Sequence, residues 1–118
     1  MEKTTYQYGL WAEFLSAWFL RLRGYRILAC RYKTPVGEVD IIARRKNVLV
    51  FVEVKARRSL DEATFSLSPR MQNRITRAAQ YYVSQHPQCA NMFMRFDLLA
   101  FAPLFRFRHL DNAWMSAP

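Results

Sequence analysis

The sequence predicts an α/β domain in which a mixed central β-sheet is flanked by helices. Two stretches carry apolar residues at helical spacing, one near the start of the chain and one after residue 68. Between and after them lie short apolar runs bounded by turn signals, which predict strands. A hydrophobic content of 52% over 118 residues is enough for one core, so we expect a single domain over residues 1–118.

The first predicted element is a helix over residues 6–23. Thr4 or Thr5 is placed to cap its start, and Gly24 is placed to end it. Its large apolar residues recur at helical spacing: Trp11, Phe14, Leu15, Trp18, Phe19 and Leu22.

Three strands follow. Residues 26–33 predict the first strand, which ends at the turn signal Thr34-Pro35. Residues 37–42 and 49–55 predict the second and third, because both are apolar apart from a few charges confined to one face. The basic link at residues 44–47 is short, so these two strands should form an antiparallel hairpin.

The second half of the chain predicts a helix and two strands. Residues 58–68 have no clear period and are expected to form a loop that could move over a site. Ser68-Pro69 is placed to begin a helix that ends at His86-Pro87. Its buried stripe is predicted to be Met71, Ile75, Ala78, Ala79 and Tyr82. Residues 93–101 and 105–110 predict the last two strands.

The charge balance indicates a polyanionic partner. Eighteen Lys and Arg against nine Asp and Glu give a formal net charge of +9. Nucleic acid is the first candidate and an anionic membrane surface the second. Cys30 and Cys89 lack the spacing of a zinc site or a CxxC redox motif. Neither a signal peptide nor a spanning segment is evident, so we expect a cytoplasmic protein with no stable membrane association.

Acidic side chains gather on one face of the predicted hairpin. Glu38 and Asp40 share a face of the second strand, and Glu53 and Lys55 share a face of the third, because side chains alternate along a strand. Carboxylates that close together repel unless a cation lies between them, and hard oxygen ligands suit Mg²⁺ or Mn²⁺. The hairpin therefore predicts a metal site, against the alternative of a weak surface ion pair.

Two hairpin registers are compatible with this site. If Ala43 pairs with Val48, Asp40 lies diagonal to Glu53, roughly 7–8 Å away between α-carbons. The alternative is a loop that is one residue longer on each side, which we expect to place Asp40 directly opposite Glu53. Both registers keep the acids on one face, so the predicted site does not depend on the choice.

A metal held in this way can polarise a phosphodiester and lower the pKa of a bound water. Lys55 could then orient the water or neutralise charge that develops on the phosphate oxygens. The residues expected to contact nucleic acid are Arg44, Arg45, Lys46, Arg57, Arg70, Gln72, Arg74 and Arg77.

The order Gly37-Glu38-x-Asp40, hairpin, Glu53-x-Lys55 resembles the PD-(D/E)xK nuclease superfamily. The fuller pattern resembles the bacterial YraN family, which is similar to archaeal Holliday junction resolvases. The matching segments are Gly9 with Glu13, residues 24–28, 37–42, 49–57, 74–79 and 95–97. This resemblance implies a restriction-endonuclease-like fold, with Asp40 and Glu53 as metal ligands and Lys55 as the catalytic lysine.

The resemblance also implies that Glu13, on the first helix, is a further acid near the metal. One departure from the family pattern is Met71, where the family usually has a lysine before Gln72. Asp97 is interpreted as a structural acceptor with Arg95 as its candidate partner.

His109 is interpreted as a rim residue, and the alternative is an acid/base pair with Asp111. The role of Glu38 stays open.

Two functions follow from these expectations. The first is a Mg²⁺- or Mn²⁺-dependent endonuclease that hydrolyses DNA phosphodiester bonds, with branched DNA as one candidate substrate. The alternative is a non-catalytic nucleic-acid-binding module of a DNA repair or recombination assembly. A resolvase needs two active sites, so the first function carries a homodimer as an expectation.

Overall fold

The computed structural model describes residues 5–114, and side chains from residue 8 onwards. The elements are α1 (Thr5–Leu22), β1 (Arg26–Thr34), β2 (Gly37–Arg45), β3 (Val48–Ala56), α2 (Leu60–Phe65), α3 (Pro69–Gln85), a 3₁₀ turn (Pro87–Cys89), β4 (Phe93–Ala102) and β5 (Arg106–Trp114). Thr4, one of the two predicted caps, lies outside the described residues.

The strands form one mixed sheet, as predicted. Its order is β1-β2-β3-β4-β5, and only β3 and β4 run parallel. Parallel neighbours need a long crossover connection. Here α2 and α3 provide it, which explains why the helices interrupt the strands at this point. The result is an α/β fold with a restriction-endonuclease-like arrangement.

Helices α1 and α3 cover opposite faces of the sheet. Alternate residues of β3 point to the two faces, so Leu49 and Phe51 lie in the cluster beneath α3. Val50, Val52 and Val54 lie in the cluster beneath α1. In the α3 cluster the rings of Phe51 and Phe96 stack with centroids 5.7 Å apart.

Most of the fully buried residues of α1 are small, and several of its large apolar residues are exposed. Its buried residues are Ala12, Ser16, Ala17 and Leu20. Four of the large residues at helical spacing are exposed instead: Trp11, Phe14, Trp18 and Leu22. The hydroxyl of Ser16 donates to the Ala12 carbonyl oxygen, so this buried polar group is satisfied. None of the helices in residues 5–114 has the length and hydropathy to cross a bilayer.

The expectation of a loop over residues 58–68 is wrong in its middle, where α2 forms. Ser59 caps this helix by accepting from the Glu62 amide, and Ala63 is buried. Arg108 of β5 holds the helix from outside through Asp61, with an Nη1 to Oδ1 distance of 3.0 Å. Six residues are fewer than two turns, too few to show a helical period.

Strand β5 extends beyond the predicted residues 105–110 and ends at Trp114. Trp114 is buried, and its indole nitrogen donates to the Thr76 hydroxyl of α3 at 3.1 Å. Its ring stacks on Phe96 with centroids 5.1 Å apart. The end of the described chain is therefore anchored in the α3 face of the core.

Candidate active site

A gap opens in the centre of the sheet where the predicted acids lie. Strand β2 pairs with β3 only between Ile41 and Arg45. Beyond this ladder the first residues of β2 pair only with β1, and the last residues of β3 pair only with β4. A cavity of about 440 Å³ occupies the gap. It is lined by Gly9, Leu10, Glu13, Arg31, Lys33, Glu38, Val39, Asp40, Glu53, Val54, Lys55, Met71, Arg74 and Ile75.

The hairpin has the pairing of the second expected register, but its link is shorter than in the first register and not longer, since only Lys46 and Asn47 lie between the paired residues. Arg45 pairs with Val48, so continuation of the register places Asp40 opposite Glu53. In this gap the Val54 amide donates to Asp40 Oδ2 at 2.8 Å. The Asp40 side chain thus takes the place of a backbone carbonyl from the neighbouring strand. The carboxylate of Asp40 is thereby held between the two diverging strands.

Glu53 is buried in an environment that disfavours its charge. Glu53 is only 8% exposed, and the Lys55 ammonium lies 3.6 Å from Glu53 Oε2. Burial, and then the neighbouring Asp40 carboxyl, raise the pKa of Glu53 to about 9, and Lys55 opposes them only in part. At neutral pH and without a cation, the Glu53 carboxyl therefore keeps its proton.

Glu13 reaches the same cavity from α1, on the opposite side of the sheet from α3. Arg31 donates to its Oε2 from Nε at 3.1 Å and from Nη2 at 3.0 Å. Burial and the charge of Asp40 nevertheless raise the pKa of Glu13. The predicted approach of this helix residue to the acidic site is present in the structure.

The donor set fits a hard divalent cation bound by two carboxylates. Asp40 and Glu53 supply oxygen atoms in a confined cavity, and a cation would replace the proton that burial and repulsion impose on Glu53. In the described part of the chain, no three His, Cys, Asp or Glu side chains are placed to hold one metal ion. The role of Glu13 as a third ligand stays a prediction.

Three basic residues besides Lys55 line the cavity: Arg31, Lys33 and Arg74. Only Arg74 was predicted to contact nucleic acid. Its backbone packs so close to Gly37 that a Cβ there would collide with the Arg74 carbonyl oxygen, which explains the glycine before Glu38.

Arg31 and Lys33 were missed because only the sheet order reveals that β1 borders the site. Lys33 pairs with Glu38 across the β1–β2 ladder. The missed signal was the pair of basic residues in β1.

The other predicted nucleic-acid contacts lie outside this cavity. The turn end of the hairpin carries Arg44, Arg45 and Lys46. Since β2 rises roughly 3.3 Å per residue, these side chains lie well away from Asp40. The side-chain amide of Gln72 donates to the Leu67 carbonyl oxygen at 3.2 Å.

Arg57 follows β3, and its Nη1 donates to the Ala56 carbonyl oxygen at 2.8 Å. Arg70 and Arg77 lie exposed on α3. Met71, at the position where the family resemblance predicts a lysine, lines the cavity.

Asp97 lies fully buried outside the cavity and is a structural acceptor, as interpreted. Arg95 donates to both of its oxygens at 2.9 Å. His109 Nε2 donates at 2.8 Å and the Asn112 amide at 3.0 Å. Although burial opposes it, these donors lower the pKa of Asp97. His109 therefore pairs with Asp97, and not with Asp111 as the alternative predicted.

Known proteins resemble this chain over most of its length. Residues 12–101 match the sequence model of the uncharacterised protein family UPF0102. A UPF0102 protein of Bradyrhizobium diazoefficiens is 50% identical over 106 residues, which cover 90% of this chain and 80% of the relative. A UPF0102 protein of Nitrobacter winogradskyi is 46% identical over 114 residues, 97% of both chains. The matched segment includes Glu13, Asp40, Glu53 and Lys55.

Proposed function

The chain belongs to the uncharacterised protein family UPF0102, the YraN family that its motifs resemble, and we propose that it is a divalent-metal-dependent endonuclease acting on DNA. One observation carries the proposal. A single cavity is lined by three acids and one lysine that come from three separate elements: Asp40, Glu53, Glu13 and Lys55. Basic side chains line the same cavity, in a chain with a net charge of +9.

The acids and the lysine have separate roles in this proposal. Asp40 and Glu53 would hold Mg²⁺ or Mn²⁺, which when bound polarises a phosphodiester and lowers the pKa of a bound water. Lys55 offers an ammonium beside Glu53 that offsets negative charge developing on the phosphate oxygens. The hydrogen bonds from Arg31 hold the Glu13 carboxylate toward the cavity.

The basic residues of the cavity would position the DNA backbone. Arg31, Lys33 and Arg74 surround the acids from β1 and α3, so a phosphate could approach between opposite rims of the gap. Phosphate contacts orient nucleic acid without reading its bases. We therefore expect weak sequence specificity, with substrate choice governed by DNA shape, including branched DNA as a candidate.

One observation favours the alternative function, a non-catalytic nucleic-acid-binding module of a repair or recombination assembly. Within residues 5–114 no three potential ligands are placed around one metal position. Binding without cleavage would use the same basic rim.

A cleavage assay separates the two functions. The purified protein is incubated with linear duplex, single-stranded, flap and four-way-junction DNA, with Mg²⁺ or Mn²⁺. Glu53→Gln and Lys55→Ala should each reduce the cleavage rate on the order of 10²–10³-fold and leave DNA affinity largely unchanged. Glu62→Gln, an exposed acid on α2, is the matched control and should cut like the wild type.

The outcomes are distinguishable. If the wild type binds these substrates and cuts none with either metal, the binding module is the function. If Glu53→Gln and Lys55→Ala cut as fast as the wild type, the assigned cavity is wrong. Affinity should also fall with salt, with a log-log slope of about −0.9 per phosphate neutralised.

A further inference from the structure

A second cavity lies at the other end of the sheet from the acidic site. It has a volume of about 260 Å³ and lies where α1 ends and β1 begins, beside the end of β2, the start of β4 and the middle of β5. Its lining residues are Arg23, Tyr25, Arg45, Arg95, His109 and Asp111. Along β2, Arg45 is separated from Asp40 by roughly 17 Å, at about 3.3 Å per residue. A ligand here would not touch the acids.

Aromatic rings lie against all three guanidinium groups of this cavity, and they are closest to those of Arg23 and Arg45. The Arg23 guanidinium lies over the Phe19 ring, 4.7 Å from its centroid. The Arg45 guanidinium lies over Tyr25 at 4.4 Å, and its Nη1 donates to the Arg23 carbonyl oxygen at 3.0 Å. Stacking occupies the faces of these groups and leaves N–H donors at their edges. Within the described residues, neither arginine forms an ion pair.

The third guanidinium is fixed by the buried Asp97 network. Arg95 donates to both oxygens of Asp97, and its Nη2 also donates to the Tyr25 hydroxyl at 2.6 Å. The Arg95 side chain stays 22% exposed, so part of it still faces outward. His109 is oriented by the same carboxylate through its Nε2. The network therefore presents an arginine and an imidazole with little freedom to reorient.

The charge of the cavity favours an anion. Asp97 neutralises Arg95, and Asp111 can offset one of the two remaining guanidiniums, so the lining keeps a positive charge. Three arginines with fixed donors match an oxyanion with several acceptor atoms. The volume is below the ~300–1,000 Å³ typical of pockets for whole small molecules. It suits a single charged group.

We propose that this cavity binds a phosphoryl group. The group could belong to the end of a nucleic acid strand, to its backbone or to free phosphate, and the chemistry of recognition is the same. The three lining arginines, Arg23, Arg45 and Arg95, provide the charge-assisted hydrogen-bond donors. The fixed geometry reduces the ordering cost of binding. This site does not depend on the nuclease activity proposed above.

Calorimetric titration with inorganic phosphate, at constant ionic strength set with chloride, tests the proposal. The wild type should show saturable binding. Arg23→Gln and Arg45→Gln should each weaken it about tenfold or more, since each removes a charge-assisted hydrogen-bond donor. Arg45→Lys should also weaken it, because the charge stays and the fixed fork is lost. Thermal unfolding of each variant verifies its fold.

The matched control is Arg21→Gln. Arg21 also lies over an aromatic ring, 5.3 Å from the Trp18 centroid, and it is outside the cavity. The Arg21→Gln variant should bind phosphate as tightly as the wild type does. Unsaturable phosphate binding, or equal losses in Arg21→Gln and Arg45→Gln, would show only general charge attraction and overturn the site.

Two oligonucleotides of one sequence, with and without a 5′-phosphate, identify the source of the group. Tighter binding of the phosphorylated strand, lost in Arg45→Gln, assigns the cavity to a strand end. Equal affinities that both fall in Arg45→Gln assign it to backbone phosphates. Equal affinities that do not change, together with saturable binding of inorganic phosphate, assign it to free phosphate.

Discussion

Glu53 and Asp97 are both buried carboxylates, and they lie one register position apart on the parallel strands β3 and β4. Their pKa values nevertheless move in opposite directions. Burial raises the pKa of Glu53 to about 9, with a further rise from Asp40. The donors around Asp97 overcome its burial and lower its pKa.

The number of donors around each carboxylate explains the difference. Asp97 accepts four hydrogen bonds, from Arg95 twice, from His109 and from the Asn112 amide. Glu53 has one ammonium at 3.6 Å and a second acid beside it. The charge of Asp97 is thus balanced inside the fold, whereas that of Glu53 needs a cation from outside. A buried carboxyl whose pKa is strongly raised by burial and by a neighbouring acid is a feature typical of functional sites.

The largest expected effect is on the balanced carboxylate. Asp97→Asn should lower the free energy of unfolding on the order of 3–5 kcal/mol, because Arg95 would lose its buried counter-charge. Glu53→Gln in metal-free buffer at pH 7 should change it far less, because the native carboxyl is already protonated there. Urea denaturation measures both. A larger loss for Glu53→Gln than for Asp97→Asn would reverse the comparison.

The second effect is a dependence of stability on pH. Between the ordinary pKa of 4.5 and about 9, folded Glu53 keeps a proton that the unfolded chain releases. The free energy of unfolding should therefore fall as pH rises, by up to about 1.4 kcal/mol per pH unit.

Glu13 also makes the free energy of unfolding fall as pH rises, since its pKa is raised too. The measurement is therefore the difference in unfolding free energy between wild type and Glu53→Gln at each pH, in chelator-treated buffer. The contribution of Asp97 has the opposite sign: it is present at neutral pH and is lost as pH falls through the lowered pKa. Parallel pH profiles for wild type and Glu53→Gln would contradict the raised pKa of Glu53.

The third effect is stabilisation by metal. Mn²⁺ or Mg²⁺ should raise the melting temperature, and the gain in unfolding free energy is about 1.4 kcal/mol when the ion is at roughly ten times its Kd. Asp40→Asn and Glu53→Gln should abolish the shift, and Glu62→Gln should retain it. A shift that persists in both site variants would place the ion elsewhere.

Much of the acidic site could be predicted because its signal is local. Asp40, Glu53 and Lys55 lie in one hairpin, where strand alternation alone decides which side chains share a face. Both registers that we considered keep the acids on one face; the structure places Asp40 opposite Glu53 through a shorter link, with Arg45 paired to Val48. Glu13 could be placed only by the family resemblance.

The rest depends on contacts between distant segments. Arg31 and Lys33 line the site because β1 is the neighbour of β2, which no local pattern states. The pairing of Asp97 with His109 follows from the β4–β5 ladder, whose register shifts between Phe96 and Leu98. The second cavity combines the link between α1 and β1 with residues of β2, β4 and β5, so no local pattern reveals it either.

The smallest expected effect concerns Glu13, which combines features of both carboxylates. Like Asp97 it has an arginine partner, and like Glu53 it lies near Asp40 and has a raised pKa. The Arg31 side chain is 50% exposed, so the lost ion pair should cost about 1 kcal/mol or less. Relief of repulsion from Asp40 offsets part of this cost, so Glu13→Gln should leave the free energy of unfolding within about 1 kcal/mol of wild type.

Urea denaturation of Glu13→Gln beside Arg31→Gln measures this balance. Arg31→Gln should be the more destabilising of the two, because it leaves the Glu13 carboxyl half-buried near Asp40 without its counter-charge. Because cleavage is assayed separately, a variant that folds normally and cuts slowly would assign Glu13 to the active site. A loss of stability as large as that of Asp97→Asn would instead group Glu13 with the structural carboxylate, and its partner Arg31 would then be a fixed part of the fold.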